Sequence, residues 1–405
     1  MTDRDAEAPG DETSRHDAGR ASATGDDAGG APTLPDVNVD DVLADRSVRI
    51  VHEGSWIHPG GAARVAKALA DAFDAPLTVG HTPDREFWRG YDVQFPFQER
   101  FHEGLSSRLF LDDRVRPASE LLRAAGFRGL DFEADVVISS GTAAKWWVPR
   151  HDQQHVHYCH VPPPRFYARS TDGVVDWATT TLVTVLDRHF ADYCSGMLAN
   201  SAFTRERVHK HYLRDRDAVP VVNPPIDVDR FQHAPADEDD PYFVMIGRLN
   251  DMKRTDVVAR AFSDLDARLV LVGDGPLRKQ VARRRNVEVH ERLSDDALAD
   301  LVAHSTGGIA FAREEHCGMT PKEFQSAAKP VVVPDEPNLE NHVTDGADGV
   351  VVPASEDGVR EGVRRILDTE WDPDRVQATA ADWSHAAFAR NAREAVARIV
   401  AADEA

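Results

Sequence analysis

The chain has 405 residues, and its 69 acidic and 47 basic side chains give a formal net charge of −22. This length predicts two domains, or three, at roughly 100–200 residues each, and an apolar content of 41% is enough for folded cores. The acidic excess argues against a general nucleic-acid binder. The three scattered cysteines argue against a disulfide framework or a cysteine zinc site, and the lack of long apolar runs argues against a membrane span.

Residues 1–45 are expected to form a disordered acidic tail. They contain 12 Asp or Glu and 3 Arg, with no Lys and no aromatic residue. Such a segment cannot bury enough apolar area to offset the entropy lost on ordering. Its first residues also lack the basic-then-apolar pattern of a signal peptide, which favours a soluble cytoplasmic protein.

Residues 46–222 are expected to form a first α/β domain. An apolar run at 48–51 predicts a buried strand, and apolar residues at helical spacing between Ala62 and Phe73 predict the helix that follows. Further apolar runs at 134–139 and 154–158 repeat the pattern. Buried strands alternating with amphipathic helices indicate a parallel sheet covered on both faces.

The second half of the chain repeats this alternation. A proline-rich acidic stretch at 223–240 predicts an interdomain linker, and residues 241–385 predict a second α/β domain. A closing helix is expected over 386–405. The predicted fold class is therefore α/β, with two doubly wound domains.

Each half carries a glycine-containing loop that opens a helix. Gly60-Gly61 precedes the Ala62 helix, and Gly318-Met319-Thr320 precedes a helix that begins near Pro321. The free N–H groups and positive dipole at such helix ends suit phosphate. One anion site in each half predicts a ligand held in the cleft between them.

Two cations and two carboxylates accompany the second loop. Arg248 and Lys253 follow the first strand of the second half and would suit a diphosphate, although surface cations are the alternative. Glu315 lies in the loop before the helix. Glu323 also fits a capping box with Thr320 as N-cap, and the local pattern alone favours that capping role.

The stretch Glu315–Glu323 resembles the E-x7-E element of the retaining GT-B glycosyltransferases of family 4, also called glycosyl transferases group 1. The resemblance covers about residues 48–400 and is nearest to mannosyltransferase-like members. Its other motifs, in chain order, are Pro59-Gly60-Gly61, Tyr158–Pro162, Ala199-Asn200-Ser201, Asn223–Phe231, Gly247-Arg248 with Lys253, and Val272–Leu277.

The resemblance implies two Rossmann-like domains that face each other across a cleft, with the closing helix packed back on the N-terminal one. It implies transfer of a hexose, with mannose favoured, from a nucleotide-diphosphate sugar such as GDP-mannose. The acceptor would be a hydroxyl of a glycan, a lipid-linked glycan or a small molecule. No cofactor is expected, because the nucleotide sugar is itself a substrate.

The same resemblance implies a role for each candidate residue. Glu315 would contact the donor sugar, and His160 would reach the transferred sugar from the N-terminal domain. Arg248 and Lys253 would neutralise the donor diphosphate. The remaining donor-binding residues are Glu323 on the ribose hydroxyls, and Gly61, Gly318, Met319 and Thr320 around the phosphates.

A bound metal is not expected in this site. Two cations and a helix N-terminus can stabilise the charge that develops on a leaving diphosphate, and the acidic run Asp237–Asp240 lies in the linker. The chain departs from the family at Val333–Glu340, which lacks the common Gly-Gly pair, and at Ala62–Arg64, which lacks a Glu. Donor binding is therefore expected to follow the family more closely than acceptor geometry.

Several alternatives stay open. The chain could be a non-catalytic sugar-nucleotide-binding protein or a GT-B sugar-nucleotide epimerase; an NAD-dependent oxidoreductase is least favoured, because Val272–Pro276 lacks the third glycine of G-x-G-x-x-G. The histidines of 151–160 could form a metal site, but their pattern favours a strand with polar ends. The Phe101–Phe127 stretch favours core-facing helices over a basic patch that contacts a membrane or a lipid-linked acceptor.

The balance of cations adds one expectation about the source. Only 7 of the basic residues are Lys and 40 are Arg, and the acidic excess is rich in Asp. This composition favours a halophilic protein, with codon bias toward Arg as the alternative.

Overall fold

The computed structural model describes six stretches of the chain, residues 34–54, 60–97, 124–163, 174–231, 233–236 and 239–405. Most of the Phe101–Phe127 stretch and residues 1–33 of the expected tail lie outside these described residues. Two parallel six-stranded sheets dominate the described chain. The predicted α/β class is confirmed.

The first half forms one sheet with the strand order β3-β2-β1-β4-β5-β6, and every neighbouring pair is parallel. Its helices and strands, in chain order, are α1 (Val39–Leu43), β1 (Val48–Gly54), α2 (Gly61–Phe73), β2 (Leu77–His81), β3 (Val93–Gln94), β4 (Val136–Ser140), β5 (Gln154–Cys159), α3 (Val174–Ala191), β6 (Gly196–Ala199) and α4 (Ala202–Tyr212).

The second half forms the other sheet, with the order β12-β11-β10-β7-β8-β9 and again only parallel pairs. Its elements are β7 (Tyr242–Ile246), α5 (Thr255–Ala261), β8 (Arg268–Val272), α6 (Arg278–Val281), β9 (Val287–His290), α7 (Asp295–Ala303), β10 (Gly307–Ile309), α8 (Met319–Ser326), β11 (Val331–Pro334), β12 (Gly349–Val352), α9 (Glu356–Asp368), α10 (Pro373–Ala378) and α11 (His385–Asp403).

Both sheets are doubly wound with the same topology. In each, the chain adds three strands in one direction, returns to the middle and adds three in the other. The reversal lies between β1 and β4 in the first sheet and between β7 and β10 in the second. Crossovers leave in opposite directions there, so a crevice opens beyond the carboxyl ends of those strands.

The last helix completes the core of the first half. Ser384 caps α11 by accepting a hydrogen bond from the Ala387 N–H, and the helix packs against α2 and the edge of the first sheet. The Gln154 side chain at the start of β5 donates to the Val400 carbonyl at 3.1 Å. Apolar α11 residues at helical spacing, Phe388, Ala392, Ala395, Val396, Ile399 and Val400, join the same core as α2.

Residues 34–45 differ from the expected disordered tail. They form α1, which Asn38 caps, and Leu43 is buried against the first core. The Arg398 guanidinium on α11 donates to the carbonyls of Pro35 and Leu34 at 3.0 and 2.9 Å. The prediction of disorder is wrong for these residues, because a composition averaged over 1–45 hides the apolar positions at its end.

Within the described residues, no helix is both long and apolar enough to cross a bilayer.

We expect Gly196→Ala to destabilise the fold by about 1–3 kcal/mol, the typical cost of overpacking a core. A Cβ at Gly196 on β6 would lie 2.6 Å from the nearest side-chain carbon of Ile399 on α11. Gly129→Ala is the matched control, because its Cβ would meet nothing closer than 3.7 Å. Chemical denaturation followed by circular dichroism measures both; equal midpoints would contradict this packing of α11.

Candidate active site

The N-termini of α2 and α8 approach each other across the cleft. A Cβ placed on Gly61, the first residue of α2, would lie 3.9 Å from the sulfur of Met319, the first residue of α8. Neither helix has a side-chain cap within the described residues. In α2 the Ala63 and Arg64 N–H groups donate to the Gly60 carbonyl, so the N–H groups left for a ligand are those of the first residues of each helix. Two positive helix ends therefore serve one space, which suits an anion.

The start of α8 corrects the expected capping box. The N-cap is Gly318 in the left-handed region at φ +75°, and the helix begins one residue before Thr320. Glu323 is therefore not the third residue of a helix capped by Thr320. Its side chain makes no hydrogen bond within the described residues, and burial raises the pKa of its carboxyl. The capping alternative is removed, and Glu323 is available to a ligand.

Both packing and backbone conformation require a glycine at residue 318. The His342 ring occupies the space beside its α-carbon, so a Cβ there would lie 2.7 Å from the ring. A side chain would thus meet both a clash and an unfavourable positive φ. This leaves the first N–H groups of α8 uncovered on the cleft side.

Lys253 and Glu315 meet at the crevice of the second sheet. Lys253 ends a single 3₁₀ turn after β7, and the Asn250 side chain accepts a hydrogen bond from its N–H at 3.0 Å. The Lys253 Nζ lies 2.5 Å from the Glu315 Oε2. Both side chains stay partly exposed, at 32% and 24%, so a ligand can reach the pair.

Arg248 lies close by in the chain, just beyond the end of β7. Its side chain is exposed and forms no ion pair with any residue that the structure describes. Together with Lys253 it places two cations at the carboxyl end of one strand, as the sequence predicted.

A second ion pair, which sequence reasoning missed, holds this loop in place. The Arg254 guanidinium is buried and forms a bidentate contact with the Glu336 carboxylate after β11. The Arg313 N–H also donates to the Met252 carbonyl at 2.7 Å. The ion pair ties the loop that carries Lys253 to the chain after β11, and the backbone bond ties it to the loop that carries Glu315. The adjacent Lys253-Arg254 pair was the only signal in the sequence, and the partner of Arg254 could not be located without knowing the order of the strands.

Contacts from both halves position the Glu315 loop. The Asn338 side chain donates to the Glu315 carbonyl at 2.9 Å. From the first half, the Ser201 hydroxyl donates to the His316 carbonyl at 2.5 Å, and the Phe203 ring stacks on the His316 ring. The Ala199-Asn200-Ser201 motif therefore acts at the contact between the halves.

His160 lies at the same edge of the first sheet, directly after β5. One ring nitrogen, Nε2, lies 2.8 Å from the Ser140 hydroxyl at the end of β4, and the Thr204 hydroxyl donates to its carbonyl at 3.2 Å. Burial lowers the pKa of His160 to about 3. The imidazole is therefore neutral at physiological pH.

The structure thus groups the second-half candidates closely. Lys253, Glu315, Gly318 and Thr320 line one cavity at the end of β10, while Gly61 and His160 lie at the carboxyl edge of the first sheet. The residues that the sequence did not single out are His52, Ser140, Arg254, Glu336 and Asn338.

Across the described stretches, no group of three or more His, Cys, Asp or Glu side chains is arranged to hold a metal ion. His155 and His157, for which the sequence favoured a strand with polar ends over a metal site, both bond to the buried Ser139 hydroxyl. In the linker, Asp240 pairs with Arg268.

Two family models match the chain in succession. Glycosyltransferase Family 4 matches residues 59–230, and Glycosyl transferases group 1 matches residues 227–387. The chain is also 21% identical over 255 residues to alpha-D-kanosaminyltransferase from Streptomyces kanamyceticus, which covers 58% of the chain. That alignment spans 65% of the relative's length.

Solved structures agree with the fold. The lipopolysaccharide outer core galactosyltransferase WaaB superposes with a TM-score of 0.64 at 13% identity, over 86% of this chain and 99% of that one. The Anabaena protein Alr3699/HepE in complex with UDP-glucose gives 0.63 at 14% identity, over 85% and 97%. The predicted fold is confirmed: the chain has the GT-B fold of these structures, and two glycosyltransferase family models match its halves in order.

Proposed function

We propose that this protein is a retaining glycosyltransferase that moves a hexose from a nucleoside-diphosphate sugar to an acceptor hydroxyl. The observation that carries the proposal is the Lys253–Glu315 pair at the N-terminus of α8, opposite the N-terminus of α2. A cation, a carboxylate and two helix N-termini in one space match a ligand that carries both phosphates and sugar hydroxyls.

In this proposal the second half binds the donor. Arg248 and Lys253 face the diphosphate, and the N–H groups of Gly318, Met319 and Thr320 complete its cradle. Glu315 accepts hydrogen bonds from the donor sugar. The carboxyl of Glu323, four residues after the start of α8, accepts hydrogen bonds from the ribose.

Catalysis then consists mainly of stabilising the leaving group. As the glycosidic bond breaks, negative charge grows on the nucleoside diphosphate, and fixed cations and N–H groups lower the energy of that state. This requires no metal. Retention would follow if the acceptor hydroxyl attacks from the face that the diphosphate leaves, and no protein nucleophile is then needed.

Two classes of nucleotide sugar are candidate donors. The resemblance to mannosyltransferase-like members favours GDP-mannose. The similarity to Alr3699/HepE, which was solved with UDP-glucose, favours a uridine nucleotide. A non-catalytic sugar-nucleotide binder and a sugar-nucleotide epimerase are the remaining alternatives, and neither would release a nucleoside diphosphate.

We also propose that the protein contacts the cytoplasmic face of a membrane through α3. Trp177, Leu182 and Val185 lie on one side of this helix and are 57%, 53% and 58% exposed. Cations accompany it: Arg188 lies in the last turn of α3, and Lys210 lies in the last turn of α4, which contacts α3. Apolar side chains flanked by cations match an anionic lipid surface, where a lipid-linked acceptor would lie.

The first experiment measures nucleoside-diphosphate release from UDP- and GDP-sugars, with candidate acceptors, in high salt to suit a halophilic protein. We expect release from one donor, reduced about 100-fold or more by Glu315→Ala and by Lys253→Ala. Lys279→Ala, an exposed lysine on α6, is the matched control. If the unmodified protein neither releases a nucleoside diphosphate nor binds a nucleotide, that result contradicts the proposed transferase.

A second experiment tests whether Glu315 and a diphosphate compete for Lys253. Glu315→Gln removes the negative charge next to the Lys253 Nζ, so we expect UDP or GDP to bind about 3–10-fold more tightly while turnover falls. Glu314→Gln is the control, because that carboxylate is 67% exposed and lies 3.5 Å from Arg207 instead. Isothermal titration calorimetry gives both affinities; weaker binding by Glu315→Gln would show that the pair does not compete with phosphate.

A third experiment tests the membrane contact with vesicles of phosphatidylglycerol or phosphatidylcholine. We expect the protein to float with the anionic vesicles only, and Trp177→Ser with Leu182→Ser to abolish flotation. Leu367→Ser, at an exposed leucine of the second half, should have no effect. Equal flotation of this control and the double variant would contradict a role for α3.

A further inference from the structure

A chain of three polar side chains crosses the carboxyl edge of the first sheet. The strand register places His52 of β1 beside Ser140 of β4, and His160 follows β5, the next strand. The His52 Nδ1 lies 3.2 Å from the Ser140 carbonyl oxygen and 3.3 Å from its hydroxyl. The same hydroxyl lies 2.8 Å from the His160 Nε2. The hydroxyl therefore bridges two histidines at the reversal point of the sheet.

The carbonyl fixes the direction of the first bond. A carbonyl oxygen can only accept a hydrogen bond, so the His52 Nδ1 must carry the proton that it shares with Ser140. The longer contact to the Ser140 hydroxyl is then the second branch of the same donation. In both branches His52 donates and Ser140 accepts.

The direction of the first hydrogen bond also determines the direction of the bond between the Ser140 hydroxyl and His160. Ser140 is fully buried, and within the described residues its hydroxyl contacts only the two histidines. Because His52 donates to it, the one hydroxyl proton has a single acceptor, the His160 Nε2. If His160 donated instead, that proton would be buried without an acceptor, which costs about 1–3 kcal/mol.

A neutral imidazole carries one N–H, so its two nitrogens have opposite roles. Since the Nε2 accepts from Ser140, the proton of His160 must be on the Nδ1. That atom makes no hydrogen bond within the described chain, and the ring is partly exposed at the edge that faces the cleft. The free nitrogen is therefore a donor.

We propose that Ser140, itself oriented by His52, is a positioning residue that holds His160 in its Nδ1–H tautomer, so that His160 donates a hydrogen bond to an oxygen of the transferred sugar. The second part rests on the proposed function, in which His160 faces that sugar. It also excludes one role. An Nδ1 that already carries a proton cannot remove a proton from the acceptor hydroxyl, so the imidazole binds and orients the sugar rather than acting as the base.

The neighbouring residue offers a matched control. Ser139 precedes Ser140 on β4 and points to the opposite face, where its hydroxyl lies 2.7 Å from the His155 Nε2 and 2.9 Å from the His157 Nδ1. All three of these residues are buried in the first half. Ser139→Ala thus removes the same hydroxyl, also between two histidines, without touching His160.

The test is a long-range ¹H–¹⁵N spectrum of the full-length protein labelled at histidine, with His160 assigned through His160→Asn. Two-bond couplings distinguish the nitrogen that carries the proton from the one that does not. We expect a protonated Nδ1 on His160, unchanged in Ser139→Ala and in Ser140→Thr, which keeps a hydroxyl. Ser140→Ala should shift His160 toward the Nε2–H form or a mixture of both.

Turnover gives the second measurement. We expect Ser140→Ala to lower kcat about tenfold, the value of one lost orienting hydrogen bond, with Ser140→Thr restoring most of it and Ser139→Ala having little effect. A protonated Nε2 in the unmodified protein would overturn the tautomer, and equal kcat losses in the two alanine variants would overturn the positioning role.

The spectrum needs no substrate, so it separates this inference from the proposed function. If His160 has the assigned tautomer and no donor sugar is turned over, the transferase proposal fails while the assignment of the proton stands. If transfer is observed and the tautomer is wrong, only the inference about Ser140 fails.

Discussion

Crossovers between parallel strands are right-handed, and this constraint decides where each half of the chain can hold a ligand. A sheet that grows first to one side and then to the other must contain two neighbouring strands whose connections leave in opposite directions. In the first sheet these are β1 and β4, and in the second β7 and β10. His52, Ser140, Lys253 and Glu315 all lie at or just beyond the ends of these four strands, so the fold itself gathers them.

Charge in the cleft is balanced locally although the chain is strongly acidic. With a net charge of −22, the long-range field of the protein disfavours anionic ligands, and the site must overcome it at short range. It does so with helix N-termini, whose partial charges do not titrate and act over the first turn only. Lys253 is compensated by Glu315 and Arg254 by Glu336, whereas Arg248 has no ion-pair partner among the described residues. In the proposed function, a phosphate group would therefore displace a carboxylate from Lys253 and would meet Arg248 directly.

The sequence was sufficient to predict the fold class and the general place of the site. Apolar runs alternating with amphipathic helices indicate parallel sheets, and the rule that ligands bind beyond the carboxyl ends of strands is enough to select Arg248, Lys253 and the loop of Glu315. The cap of α8 was not predictable, because the space that excludes a side chain at Gly318 is filled by the ring of His342, which lies 24 residues further along the chain. Local pattern therefore favoured Thr320.

Contacts that depend on strand register also could not be predicted from the sequence. That Ser140 faces His160 while Ser139 faces His155 follows from the alternation of side chains along β4, but only once the neighbours and register of that strand are known. Arg254 is similar, since its partner Glu336 belongs to a different strand connection 82 residues later. The apolar positions at 34–43 were missed for a different reason: an average over a long acidic segment conceals a short cluster at its end.

The position of α11 has a consequence for biosynthesis. Its apolar face, from Phe388 to Val400, forms part of the same core as Leu43 and α2, so the core of the first sheet is closed by a helix that follows every described strand in the chain. During synthesis the strands of the first sheet leave the ribosome long before α11 does. The first half must therefore wait, with its α2 surface uncovered, until α11 has emerged, and chaperone contact during synthesis should fall on the N-terminal half.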